Sequence, residues 1–285
     1  MSASLPDDAR IGSVIFTISD LEQSLSFYEE LLGFQVIERT SHTAKLSADG
    51  KRPLIVLEER EDAVRKPPHT TGLYHAAVLL PDRASLGMIL RRLVQHDYPL
   101  QGAADHHFSE AVYLPDPDGN GLELYRDRDR SQWRYDDEGW IYAQTAPLDA
   151  DAVLQAAEGK EWQGMPVATI IGHIHLHVGE LEETKAFYVS GLGFSPMVHM
   201  GEHALFVAAG GYHHHIGLNI WAGKDAPSPP ENAVGLKEYT ITMSDRQELD
   251  EVCSRLQKAG IVYDNQDGDV RTRDTSGSRV RLAVW

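Results

Sequence analysis

Hydrophobic and polar positions along this chain change their period in a fixed order. The run Gly12-Ser13-Val14-Ile15-Phe16-Thr17-Ile18 alternates as a half-buried strand does, with successive side chains on opposite faces. It gives way to Leu21, Leu25, Tyr28 and Leu32, the apolar stripe of an amphipathic helix of about a dozen residues. Ser19 is placed to cap that helix with Glu22 three residues on, and Gly33 to end it. Several short strands separated by Gly, Asp and Pro follow. The predicted unit is β-α-β-β-β.

The same order recurs. Gly172-His173-Ile174-His175-Leu176-His177-Val178 repeats the first strand, and Phe187-Tyr188 with Leu192-Gly193-Phe194 repeats Phe27-Tyr28 with Leu32-Gly33-Phe34. A second pair opens at Gly72-Leu73-Tyr74-His75 and Gly235-Leu236-Lys237-Glu238, followed by Pro81-Asp82-Arg83 and Ser244-Asp245-Arg246. Repetition of this length sets the architecture, an α+β chain of four βαβββ modules forming paired curved sheets. The segment from about Asp127 to Met165 breaks the pattern; its Trp133, Trp140 and Trp162 read as packing anchors. The expected organisation is a first pair of modules over 1–127, a crossover over 128–166 and a second pair over 167–285.

Composition narrows the class. A length of 285 residues suits about two domains, and 42% hydrophobic residues can fill real cores. No apolar run approaches the roughly 20 residues needed to cross a bilayer, and no basic segment followed by an apolar one opens the chain. The single cysteine, Cys253, excludes an intrachain disulfide and fits a reducing cytoplasm. A formal net charge of −17 argues against nucleic acid, whose binding relies on Lys and Arg neutralising phosphates. No membrane partner is expected, and a homo-oligomer is compatible with the composition.

The repeats place Ser13, His75, His173 and Glu238 at one position of the first strand of each unit. Near the end of the second unit, Asp116-Pro117-Asp118-Gly119 is a turn sequence, but a turn does not require the carboxylate Glu123 inside the apolar strand that follows. Read as a strand, His213-His214-His215 would put His213 and His215 on one face and His214 on the other. His175 and His177 share the parity of His173.

Units of this order, with Asp/Glu-Leu followed by Phe-Tyr and Leu-Gly-Phe, resemble the vicinal oxygen chelate superfamily over nearly the whole chain apart from the crossover. That superfamily includes glyoxalase I, antibiotic-resistance binding proteins and type I extradiol ring-cleaving dioxygenases. The fold alone does not choose among these functions. By the resemblance, metal ligands stand on the first and last strands of paired units, which selects His75, Glu123 and His173. Two imidazoles and a carboxylate form the facial triad of non-heme Fe(II), with Mn(II) able to use the same set. Ser13, Glu238 and Arg281 at the matching positions imply that units one and four pair as a metal-free scaffold.

His106, Val112-Tyr113, the Asp-Pro-x-Gly turn and Glu123 resemble the extradiol dioxygenase motif. The chain departs from it at Ala104, and His107 offers a competing alignment. The match assigns the acid-base role to His215, with Tyr113 and His106 as hydrogen-bonding catalytic groups. The resemblance implies extradiol cleavage of a catechol-like small molecule by O2, giving a muconic semialdehyde. A glyoxalase-type isomerase is the alternative, although His215-Ile216-Gly217-Leu218-Asn219-Ile220-Trp221 lacks the fourth carboxylate ligand that chemistry commonly uses. A metal-free small-molecule binding protein is the third reading.

Overall fold

The computed structural model describes residues 4–285. Unit one comprises β1 (Arg10–Ile18), α1 (Leu21–Leu25), β2 (Gln35–Arg39), β3 (Thr43–Ser47) and β4 (Ile55–Glu59). Unit two comprises β5 (Gly72–Leu80), α2 (Arg83–Gln95), β6 (Gly102–Asp105), β7 (Ser109–Pro115) and β8 (Gly121–Asp127). The crossover carries β9 (Ala146–Pro147) and α3 (Ala150–Ala156). Unit three comprises β10 (Ile170–His177), α4 (Leu181–Lys185), β11 (Ser195–Met200), β12 (Ala204–Ala208) and β13 (Ile216–Asn219). Unit four comprises β14 (Gly235–Met243), α5 (Arg246–Lys258), β15 (Tyr263–Gln266), β16 (Asp269–Arg273) and β17 (Arg279–Val284).

Units one and four share an eight-stranded sheet, β15-β16-β17-β14-β1-β4-β3-β2, and units two and three a nine-stranded one, β11-β12-β13-β10-β5-β8-β7-β6-β9. Each sheet therefore takes one unit from either side of the crossover. The seams are antiparallel, β1 with β14 and β10 with β5. Register carries the repeat into three dimensions: Ala77 pairs with Glu123, and Thr240, at the same distance from the glycine that opens its unit, pairs with Arg281. Arg281 thus occupies the place of Glu123 in the other sheet.

The helices after β1 and β10 begin as single α-turns and widen into π-helical turns, Ser26–Leu31 and Ala186–Leu192. Neighbours Phe27 and Tyr28, and likewise Phe187 and Tyr188, are all buried there. Ser19 does not cap the first helix. Asp20, in extended backbone, accepts from the Gln23 amide at 2.9 Å, while Ser19, one residue too early, bonds Asp118 of unit two. The reciprocal capping box instead starts α5, between Asp245 and Glu248.

One hydrophobic core runs through both sheets and their helices, including Phe16, Leu90, Leu176 and Leu256. A smaller cluster of Phe108, Trp133, Ile141, Val198, Ala208 and Tyr212 pins the crossover against the second sheet. Trp133 is a buried anchor, as its sequence context suggests. Among the described residues no helix is long and apolar enough to cross a membrane.

Candidate metal centre and active site

His75 and His173 stand on the two central, antiparallel strands of the nine-stranded sheet, and Glu123 on the strand paired to β5. The pairing of β10 with β5 shifts register between Ile171 and His173, around Gly172, and that of β1 with β14 shifts between Ile11 and Val14, around Gly12. Such a bulge re-aims the side chain that follows it. Here it sends His173 toward His75.

Their ligand atoms converge. His75 Nε2 lies 2.9 Å and His173 Nε2 3.0 Å from the same Glu123 oxygen, Oε2, and the two nitrogens are 3.3 Å apart. Ligands bonded at about 2.1 Å on one face of an octahedron stand about 3 Å from each other, so the donor set has the spacing a cation needs. All three residues are buried. His173 Nδ1, the ring nitrogen that does not face the cluster, is buried without a hydrogen bond, so it is Nε2 that is offered to the shared centre. The residues present fit a divalent metal.

Electrostatics agree with that reading. Burial would raise the Glu123 carboxyl, but the imidazoles of His173 and His75 outweigh it and hold the group well below the usual carboxylate range. Burial pushes His173 down to about 4 despite the opposing carboxylate. An ionised carboxylate facing the neutral His173 ring is the protonation state that metal ligation requires.

The triad lies at the floor of a cavity of about 400 Å³. Tyr74, Phe206, Val198 and Trp221 give it an aromatic and apolar wall, and His106, Tyr113, His175 and His214 also line it. Glu123 is the one carboxylate among its described lining residues. Tyr113 lies directly across the β7–β8 pairing from Glu123. Its hydroxyl is 2.7 Å from His106 Nε2, and His106 Nδ1 is 2.8 Å from the Gln144 carbonyl. A carbonyl only accepts, so His106 carries its proton on Nδ1 and the Tyr113 hydroxyl donates to Nε2. Burial, with Glu123 nearby, raises the Tyr113 phenol well above its usual value and keeps it protonated.

The structure brings together five of the six residues the sequence singles out and leaves His215 apart. His213, His214 and His215 precede β13 in an irregular bend, so strand alternation does not govern them. His214 lines the cavity, its ring 4.1 Å from that of His173. His215 instead points into the packing, where Nδ1 accepts from the Ala209 amide at 3.2 Å and the ring lies 4.9 Å from that of Tyr212. Burial pushes His214 well below the ordinary histidine value, with His173 and His213 adding to it.

Sequence reading also misses the crossover. Ala143, Gln144 and Thr145 close one side of the cavity, a placement no local pattern announces. His175 does line the pocket, with Nε2 held by the Asn219 side-chain amide at 2.9 Å. Gly217 makes room for it, since a Cβ there would meet the His175 ring at 2.8 Å.

Comparison with known proteins follows the same lines. The profile of the Glyoxalase/Bleomycin resistance protein/Dioxygenase superfamily matches residues 10–124 and 170–279. The chain is 48% identical over 284 residues to a catechol-2,3-dioxygenase of Bacillus subtilis (strain 168), covering 99% of each. It is 25% identical over 117 residues to the metallothiol transferase FosB of Lysinibacillus sphaericus (strain C3-41), covering 40% of this chain and 80% of that protein. In fold it is similar to the crystal structure of glyoxalase I from Zea mays, with a TM-score of 0.58, 14% identity, and 96% and 92% of the two chains covered.

Proposed function

We propose that this chain, which belongs to the glyoxalase/bleomycin resistance protein/dioxygenase superfamily, cleaves a catechol-type ring by extradiol addition of O2. The observation that carries the reading is the convergence of His75, Glu123 and His173 beneath an aromatic-walled cavity that also presents His214, Tyr113 and His106. The whole-length identity to a catechol-2,3-dioxygenase supports the same reaction class.

His75, Glu123 and His173 would hold Fe(II), with Mn(II) compatible with the same donors. Bound there, the metal supplies Lewis acidity toward the two vicinal oxygens of a catechol and the redox chemistry of O2. The chain's own residues do the rest. Tyr74, Phe206 and Trp221 take the planar ring between apolar walls and exclude water. His214 accepts the proton of a substrate hydroxyl and later returns it. The Tyr113 hydroxyl, held in place by His106, turns its proton from His106 Nε2 to the substrate or ring-opening species when these arrive. Both oxygen atoms enter a muconic semialdehyde, so no external reductant is needed. The isomerase alternative lacks its fourth carboxylate, because Glu123 is the only acid lining the cavity among the described residues.

The test is anaerobic reconstitution with Fe(II) or Mn(II), followed by catechol and air. A yellow ring-fission product at one equivalent per O2 consumed is expected with one of the two metals. No product with either, in protein shown to hold metal, would overturn the assignment.

A further inference from the structure

His214 is not an isolated group. Behind it lies a chain of contacts that metal ligation does not use. His213 Nδ1 is 2.7 Å from His214 Nδ1, and His213 Nε2 is 2.9 Å from Asp127 Oδ1. His213 is fully buried, with its ring stacked on Phe108 at 4.4 Å. Asp127, at the end of β8, is fixed from its other oxygen by the Tyr212 hydroxyl at 2.8 Å.

We infer that Asp127 and His213 are positioning residues that select the tautomer of His214, leaving its Nε2 bare to take the substrate proton. The deduction runs outward from the carboxylate. An ionised carboxylate only accepts, so His213 carries its proton on Nε2. With His213 protonated on that nitrogen alone, its Nδ1 accepts from His214 Nδ1–H across 2.7 Å, whereas a doubly protonated His213 would donate there and reverse the His214 tautomer. A neutral His214 protonated on Nδ1 then has its lone pair on Nε2, the nitrogen not engaged by His213. When the substrate O–H proton moves to that nitrogen, the resulting imidazolium keeps its Nδ1–H bond to His213, and Asp127 lies in line to stabilise the charge. The proton leaves by the same nitrogen, so the chain of contacts ends as it began. Reversing the tautomer would present an N–H to the substrate hydroxyl and abolish the base.

This inference rests on the proposed dioxygenase reaction, but one arm of its test does not. In ¹⁵N-labelled wild-type protein, with His214→Gln used to assign the signals, the ring shifts should show His214 protonated on Nδ1 and bare on Nε2. Finding the proton on Nε2 would overturn the inference, whatever the protein catalyses. In the second arm, His213→Phe keeps the stacking on Phe108 and removes the relay. Iron content and the KM for catechol should stay within about threefold of wild type, while kcat falls by about 10–10³-fold, up to the scale of a lost acid-base group. An iron-replete, folded His213→Phe protein with wild-type kcat would overturn it. Should iron-loaded wild type leave catechol untouched, the proposed reaction fails, and the tautomer measurement still decides the relay.

Discussion

Replacing Gly172 by Ala adds one methyl group next to His173, one of the three proposed metal ligands, and its cost follows from three distances. A Cβ on Gly172 would lie 1.8 Å from Tyr125 Oη, 2.8 Å from Tyr125 Cζ and 3.1 Å from Leu79 Cβ. The backbone there is outside the left-handed region, so the penalty is steric. Restoring an ordinary contact moves the phenol oxygen by about 1.5 Å. That breaks its 2.8 Å bond to the Tyr212 hydroxyl. Overpacking of a tight core costs about 1–3 kcal/mol and the lost bond about 1 more, so the unfolding midpoint of the metal-free protein should fall by roughly 3–7 °C. The displaced ring also packs 4.9 Å from the His173 ring, on the strand that carries Glu123, so iron affinity should fall by about 10–100-fold. Tyr125→Phe removes the oxygen and leaves the smaller clash with Cζ. In that background Gly172→Ala should cost about 1–2 kcal/mol less. Strictly additive losses in melts of the four proteins, or an unchanged Tm for Gly172→Ala alone, would refute the reasoning.

Other outcomes follow from the same geometry. Glu123→Gln should abolish stoichiometric iron after dialysis while circular dichroism stays native; in wild type, free iron at 100 times its Kd should raise stability by about 2.7 kcal/mol, an increment chelation removes. His214→Gln should keep iron and lose about 10²–10⁴-fold in turnover. His215→Ala, which strands the buried Ala209 amide, should cost about 1–3 kcal/mol of stability and leave turnover within a few-fold. Burial raises Asp116 to about 6, although the Asn120 side chain and amide and the Tyr28 hydroxyl donate to it. The proton is held more tightly in the folded state, so this contribution is fully present below about pH 4 and lost as pH rises through about 6. It amounts to about 3 kcal/mol. The stability difference between wild type and Asp116→Asn should therefore shift in favour of wild type on acidification from pH 7 to 4, and parallel pH profiles would rule this out.

What the sequence makes legible depends on whether the deciding interaction is local. Gly12 and Gly172, the third residues of their strands, and Gly72 and Gly235, the first of theirs, mark equivalent positions, and the register that pairs Ala77 with Glu123 and Thr240 with Arg281 follows from counting along the second pair. Strand parity fails at His213-His214-His215 because the three residues lie before β13, where the chain bends and no pleat fixes the side chains. The cap falls on Asp20 because Ser19 is drawn to Asp118, a partner 99 residues away. Gln144 and Thr145 reach the cavity because β9 adds itself to β6 at the sheet edge, through Ala104 with Pro147 and Asp105 with Ala146. Two-residue pairings of that kind leave no periodic trace.

The two sheets form an internal comparison of scaffold and site. In the eight-stranded sheet the position of His173 is Ser13, whose hydroxyl meets that of Thr240 at 3.3 Å. The position of His75 is Glu238, whose charge is covered by Arg271 at 3.2 Å, and that of Glu123 is Arg281, paired with Asp269 at 2.7 Å. Strand order, seam and register are shared, so curvature and spacing cannot explain why one sheet gathers ligand atoms and the other does not. The difference lies in charge. A guanidinium in place of the carboxylate repels a cation, and each acid in its surroundings already has a partner. The metal affinity proposed for this chain thus rests on three side chains and on the lack, among the described residues, of a lysine or arginine paired with Glu123, whose buried charge faces His75 and His173.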